Sequence, residues 1–143
     1  MTISIVVPVH NEAENIQPLL DEIVVALVDF EAYEIIYIND GSSDATAQAL
    51  AKAQKNLPQL RVFEHQKSCG QSAAVYTGIK AAKYPFIATL DGDGQNNPAD
   101  IPSLFEHLKS QREITPKLAM IAGWRNKRHD SAWRLFSSKF SLI

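Results

Sequence analysis

Short apolar runs rich in β-branched and aromatic residues alternate along this chain with stretches whose apolar residues recur every three or four positions, and few folds satisfy that alternation. The runs 3–7, 33–38, 60–63, 86–90 and 118–122 read as buried strands. After the first, Ile16, Leu19, Leu20, Ile23, Leu27 and Val28 make one helical face. An Ala-rich helix from 45 to about 55, capped by Asp44, follows the second. Further helices are expected over 71–82 and 99–109, the last with Ile101, Leu104, Phe105 and Leu108 apolar. Gly78, inside the third helix, reads as a packing residue. Strand–helix alternation with short connections predicts an α/β fold: a mostly parallel sheet, helices on both faces, right-handed crossovers. With no internal repeat and no linker, residues 1–143 read as one unit.

Composition removes several classes. At 143 residues, 45% hydrophobic and 21% charged, the chain can bury a core and does not have the make-up of a disordered segment. One cysteine, Cys69, excludes an internal disulfide framework, and no Cys/His spacing suits a structural zinc site. No window holds the roughly 18 uninterrupted apolar residues of a membrane-spanning helix. The start, Met1-Thr2-Ile3-Ser4-Ile5, lacks the basic segment of a secretory signal. The expectation is a soluble, cytoplasmic domain. Its net charge of −2 hides a split: residues 1–111 carry seven Lys/Arg against fourteen Asp/Glu, and residues 112–143 seven against two. A basic tail on an acidic body suits nucleic acid, an anionic lipid surface or a phosphorylated ligand, or is a solvated helix.

In open parallel sheets ligands collect beyond the carboxyl ends of the strands. Three polar junctions fall there: Pro8-Val9-His10-Asn11-Glu12, Asn39-Asp40-Gly41-Ser42-Ser43-Asp44, and Asp91-Gly92-Asp93-Gly94-Gln95. Asp91 and Asp93 can offer oxygen ligands to a hard cation such as Mg²⁺ or Mn²⁺, with Gln95 adding a neutral oxygen and Gly92 and Gly94 leaving room for a ligand. Asp40 can accept N–H bonds from a base or hydroxyls from a sugar, or serve as a turn residue. Glu12 either complements a helix dipole or lines a base pocket. The helix start at Cys69-Gly70-Gln71-Ser72 either favours anions or packs tightly on the sheet. Cys69 has no paired cysteine or nearby histidine in sequence, and His10, His65, His107 and His129 show no metal spacing.

The tail continues as a helix from Ser131 to Phe140. Trp133, Phe136, Phe140 and Ile143 fall on one stripe, with Arg134 and Ser138 one turn apart. Aromatic residues among Lys and Arg suit a helix resting on an anionic bilayer, and equally a core-facing stripe with solvated cations.

Taken together, Val7-Pro8-Val9-His10-Asn11-Glu12, Asn39-Asp40-Gly41-Ser42-Ser43-Asp44 and Leu90-Asp91-Gly92-Asp93-Gly94-Gln95-Asn96-Asn97-Pro98 resemble the inverting family-2 glycosyltransferases, along nearly the whole chain. The Asp-x-Asp-x-Gln-x-x-Pro form, with Gly123-Trp124-Arg125 and Asp130-Ser131-Ala132-Trp133-Arg134 after it, is most similar to the polyprenyl-phosphate sugar transferases, such as dolichyl-phosphate mannose synthases and undecaprenyl-phosphate glycosyltransferases. The resemblance implies the three-layer, Rossmann-like GT-A fold of the nucleotide-diphospho-sugar transferases. It implies that Pro8, Asn11, Glu12, Asp40 and Asp91 line the nucleotide-sugar site. Asp91 and Asp93 would be catalytic, Asp91, Asp93 and Gln95 would hold Mg²⁺ or Mn²⁺, and Arg125, Arg134 and Ser138 would meet the acceptor phosphate. Two departures are visible: Lys67-Ser68-Cys69-Gly70 stands where Asn-x-Gly is frequent in the family, and His10 where an aromatic residue is common.

The function so implied is metal-dependent transfer, with inversion, from a UDP- or GDP-sugar to an undecaprenyl or dolichyl phosphate at the cytoplasmic side of a membrane. No nucleic-acid partner is expected, the membrane contact would be the basic aromatic helix, and homo-oligomerisation is left open. The alternatives are a glycosyltransferase acting on a soluble glycan, or a nucleotide-sugar-binding fragment without turnover. The apolar pattern still running at Ser141-Leu142-Ile143 gives the expectation of a donor-binding, N-terminal portion of a longer catalytic domain.

Overall fold

The computed structural model describes residues 1–123. Strands β1 (Thr2–Val9), β2 (Ala32–Asp40), β3 (Leu60–His65) and β4 (Ile87–Thr89) form one parallel sheet in the order β3-β2-β1-β4. Helices α1 (Ile16–Ala26), α2 (Thr46–Gln54) and α3 (Gln71–Ala81) fill the connections, and α4 (Ile101–Ile114) follows β4. Single 3₁₀ turns at Ala13–Asn15 and Pro98–Asp100 lead into α1 and α4. By its contacts the chain divides into two units, Met1–Glu106 and His107–Ile143; the sheet, α1, α2, α3 and the first residues of α4 belong to the first.

A strand with helices on both faces must be apolar on both, and β1 is buried from Ile3 to Val9. Ile3, Ile5, Val7 and Val9 enter the larger core with Ile35 and Tyr37 of β2. Ile16, Leu19, Leu20 and Ile23 of α1, Leu50 of α2, and Ile101 and Phe105 of α4 close it. The intervening side chains, Val6, Ile36 and Ile38, pack on the opposite face with Ala74 of α3. The expected layers are therefore present, α3 on one face and the other helices on the second.

Helix α3 lies hard against the sheet because Gly78 has no side chain: a Cβ there would run into Val6. Its carboxyl end is tied by a polar group buried near the amino ends of the strands. Glu34, 4% exposed, accepts from Ser4 Oγ (2.7 Å), the Lys83 N–H (2.6 Å) and Arg61 Nη1 (2.7 Å). Arg61 Nη1 also donates to the Ala81 carbonyl at 2.9 Å. Burial alone would raise the Glu34 carboxyl, but these donors outweigh it and hold it below the usual carboxylate range.

Two expectations are corrected. The run 118–122 forms no strand: an extended segment needs a ladder partner, and this one pairs with none among the described residues, leaving Met120 76% exposed. Helix α1 ends at Ala26, where the Leu27 N–H bonds back to the Ile23 and Val25 carbonyls. The chain then turns, so Val28 leaves the apolar stripe and is 77% exposed.

Candidate functional site

The strand order reverses between β1 and β4, since β2 and β3 lie to one side of β1 and β4 to the other. The crevice beyond the carboxyl ends at such a reversal is where open α/β sheets bind ligands. Pro8 is buried in β1 opposite Ile38. Across the reversal, Gly92 follows β4 so closely that a Cβ on it would meet Val9 and the Pro8 carbonyl. The space expected for a ligand at Gly92 is filled by the end of β1 instead. At Gly94, with φ +73°, the space is open.

Asn11 stitches the first two junctions together. Its backbone is left-handed (φ 55°), and its Oδ1 accepts from the N–H groups of Ser43 (2.8 Å) and Asp44 (3.3 Å). Its own N–H donates to Ser42 Oγ at 2.9 Å. The Glu12 N–H donates to Thr46 Oγ1 (3.0 Å), and Glu12 Oε2 accepts from Asn15 Nδ2 at 2.6 Å. Asp44 Oδ1 accepts the N–H of Thr46, the first residue of α2, at 2.9 Å, but it does so from one position before the cap residue, which is Ala45 and not the expected Asp44. The Thr46 hydroxyl is the main cause that holds its carboxyl below the usual range. His10, exposed at the end of β1, donates from Nδ1 to the Asp40 carbonyl at 2.7 Å. Asn11 Nδ2 lies 3.4 Å from His10 Nε2.

Asp40, 3% exposed, sits where β2 runs beside β3, in register with His65. Its Oδ1 accepts from His65 Nδ1 (2.6 Å) and the Cys69 N–H (2.9 Å). Its Oδ2 accepts from Ser68 Oγ and the Gly70 N–H, both at 2.9 Å. Burial opposes ionisation, yet these four donors keep the carboxyl far below the usual carboxylate range. The anion at the start of α3 is thus Asp40 itself, which answers the two sequence readings of that helix start with a third. His65 Nε2 meets Thr77 Oγ1 of α3 at 3.0 Å. Asp40, His65 and Cys69 bring ligand atoms within 4.8 Å of one another, a set that residue spacing did not reveal. These three are compatible with a divalent metal by type, but four hydrogen bonds already use the lone pairs of Asp40.

After β4, Asp91 Oδ1 accepts from Gln71 Nε2 at 2.8 Å, and Asp93 Oδ1 accepts the Gln95 N–H at 3.0 Å. Asp91 and Asp93 are half-buried and Gln95 is exposed. Two carboxylates and an amide oxygen on one short loop are a donor set that fits a hard cation. Gln71, Ser42, His65 and Ser68 were missed as site residues. They contribute through contacts with residues 20 to 31 positions away, and only the opposition of Asp40 and His65 in register could have shown one of them. Arg125, Arg134 and Ser138, with the aromatic stripe of the tail, lie outside the described residues.

Solved structures share this architecture. A Pyrobaculum calidifontis mannosyltransferase, PcManGT, in complex with GDP-Man and Mn²⁺ superposes with a TM-score of 0.62 at 23% identity, over 71% of this chain and 30% of that one. S. aureus TarS 1–349 in complex with UDP-GlcNAc gives 0.64 at 24%, over 79% of this chain and 32% of that one. The fold is therefore the GT-A, Rossmann-like fold of nucleotide-sugar glycosyltransferases. The glycosyl transferase family 2 model matches residues 4–139, and the chain belongs to that family. Among curated relatives, a dodecaprenyl-phosphate galacturonate synthase of Rhizobium johnstonii is 38% identical over 135 residues, 91% of this chain and 38% of that protein. An undecaprenyl-phosphate 4-deoxy-4-formamido-L-arabinose transferase of Pseudomonas fluorescens (strain SBW25) is 36% identical over 140 residues, 96% of this chain and 39% of that protein. The chain spans about two fifths of the length of these relatives.

Proposed function

We propose that this chain is the donor-binding part of a metal-dependent glycosyltransferase that moves a sugar from a nucleotide-diphospho-sugar to a polyprenyl phosphate with inversion. The observation that carries the reading is the similarity, at 38% and 36% identity, to transferases named for polyprenyl-phosphate substrates. The three polar loops gathered at one sheet edge support the donor half of it. Asp91, Asp93 and Gln95 would hold Mg²⁺ or Mn²⁺, which neutralises charge on a leaving diphosphate. Pro8, Asn11, Glu12 and Asp40 would shape the nucleotide pocket, Asn11 and Asp40 through the loops they fasten.

The reaction is a single displacement: an acceptor phosphate oxygen bonds to the anomeric carbon as the bond to the nucleoside diphosphate breaks. A phosphate monoester is ionised near neutral pH, so no strong general base is required. Holding donor and acceptor in line, and stabilising the departing charge, then account for most of the rate. Arg125, Arg134 and Ser138 are assigned to the acceptor phosphate, where guanidinium forks match phosphate oxygens. The basic, aromatic tail would bring that group to the cytoplasmic face of a membrane; among the described residues no helix is long and apolar enough to cross one.

The test uses radiolabelled UDP- and GDP-sugars, undecaprenyl phosphate and a protein that contains this chain with the rest of its domain. Label is expected to enter an organic-extractable product, and Arg134→Ala to raise the acceptor concentration required. Label that enters only water-soluble glycan contradicts the acceptor assignment.

A further inference from the structure

We infer that Gln71 is a positioning residue for Asp91, and that the Asp40 clamp fixes Gln71 in place. The inference rests on the proposed role of Asp91 as a ligand to the cation on the donor diphosphate, and names what orients it.

Gln71 is the first residue of α3, and its Nε2 donates to Asp91 Oδ1 at 2.8 Å across 20 residues of chain. Its backbone has little freedom. The two preceding N–H groups, of Cys69 and Gly70, are both bonded to Asp40, and the Ala74 N–H returns to the Gly70 carbonyl at 3.1 Å. The helix beyond is seated by Gly78 on Val6 and held at its far end by Arg61 on the Ala81 carbonyl. A side chain anchored in this way reaches from the start of α3, which packs on β1 and β2, to the loop after β4. With Oδ1 held, rotation of the Asp91 carboxylate about its own axis is restricted.

The chemistry of the donor matters. A neutral amide orients a carboxylate and leaves its full negative charge for a cation, whereas Lys or Arg at the same point would cancel that charge. Partners of this kind, one bond removed from a metal, typically govern affinity by about 10–100-fold. Gln71 is exposed, so replacing it removes no core contact.

The experiment is a Mn²⁺ titration by calorimetry and by the electron paramagnetic resonance signal of free Mn²⁺, with saturating UDP or GDP. Wild type, Gln71→Leu and Asp93→Asn are compared, and each is also tested for metal-free nucleotide binding and melting temperature. Gln71→Leu is expected to weaken Mn²⁺ binding by about tenfold or more, with metal-free nucleotide affinity and melting temperature unchanged. Unchanged Mn²⁺ affinity in Gln71→Leu, with binding lost in Asp93→Asn, overturns the role of Gln71 and leaves the metal site standing. Unchanged Mn²⁺ affinity in both variants overturns the metal site and the role of Gln71 together. A parallel loss of melting temperature and of metal-free nucleotide binding in Gln71→Leu also overturns it, since that is what a purely structural contact produces.

Discussion

A buried carboxylate surrounded by four donors stabilises a fold only while it is ionised, and Asp40 is such a group. Its folded pKa lies far below its ordinary value of 3.8. The stabilisation is therefore fully present above that value and is lost as pH falls below it toward the folded pKa. Asp40→Asn is expected to cost about 3 kcal/mol at neutral pH, because the amide keeps one acceptor oxygen and turns an NH₂ group toward two of the four donors. Urea denaturation across pH should show the gap between the two proteins shrinking below about pH 4. A gap unchanged down to pH 2 would contradict the ionised clamp. Tyr37 is the converse case: it is fully buried, its hydroxyl has no hydrogen-bond partner among the described residues, and burial pushes its ionisation far up. Removing an unsatisfied buried hydroxyl relieves its desolvation cost, so Tyr37→Phe should raise stability by about 1 kcal/mol in the same assay.

Helix α3 is the element on which the site depends, because it is fastened at both ends and in the middle. Asp40 meets its amino end, Arg61 its carboxyl end, and Gly78 lets its centre approach Val6. Gly78→Ala would gain about 1 kcal/mol of helix propensity if the position were exposed. Against Val6 it should instead destabilise by about 1–3 kcal/mol, and Val6→Ala in the same chain should recover part of the loss, measured as a double-mutant cycle. The packing role of Gly78 was legible in the sequence, as were all four strands and four helices of the described fold. Periodicity shows those because each depends on near neighbours. It misread the run 118–122, where apolar composition is present but no strand lies beside it, and Val28, where the stripe continues after the helix has turned. The polar junctions were legible as a group, since strand ends share one edge. Their internal wiring was not: Asp40 with Ser68 and Gly70, or Gln71 with Asp91, are pairs that only the folded sheet brings together.

At the scale of the molecule, an acidic body and a basic carboxy-terminal segment divide the proposed work between a cation-assisted donor site and an anionic acceptor. The donor half rests on carboxylates that lose affinity for a cation when made neutral. The measurement that tests this most directly is thermal unfolding of the chain with UDP- and GDP-sugars, each with and without Mn²⁺, for wild type and Asp93→Asn. A ligand that binds only the folded state raises the transition by mass action, by about 2.7 kcal/mol at a hundredfold excess over its Kd. The account predicts a raised transition for one nucleotide class, dependent on Mn²⁺ and lost in Asp93→Asn. An equal rise without Mn²⁺, or one that survives Asp93→Asn intact, would contradict it.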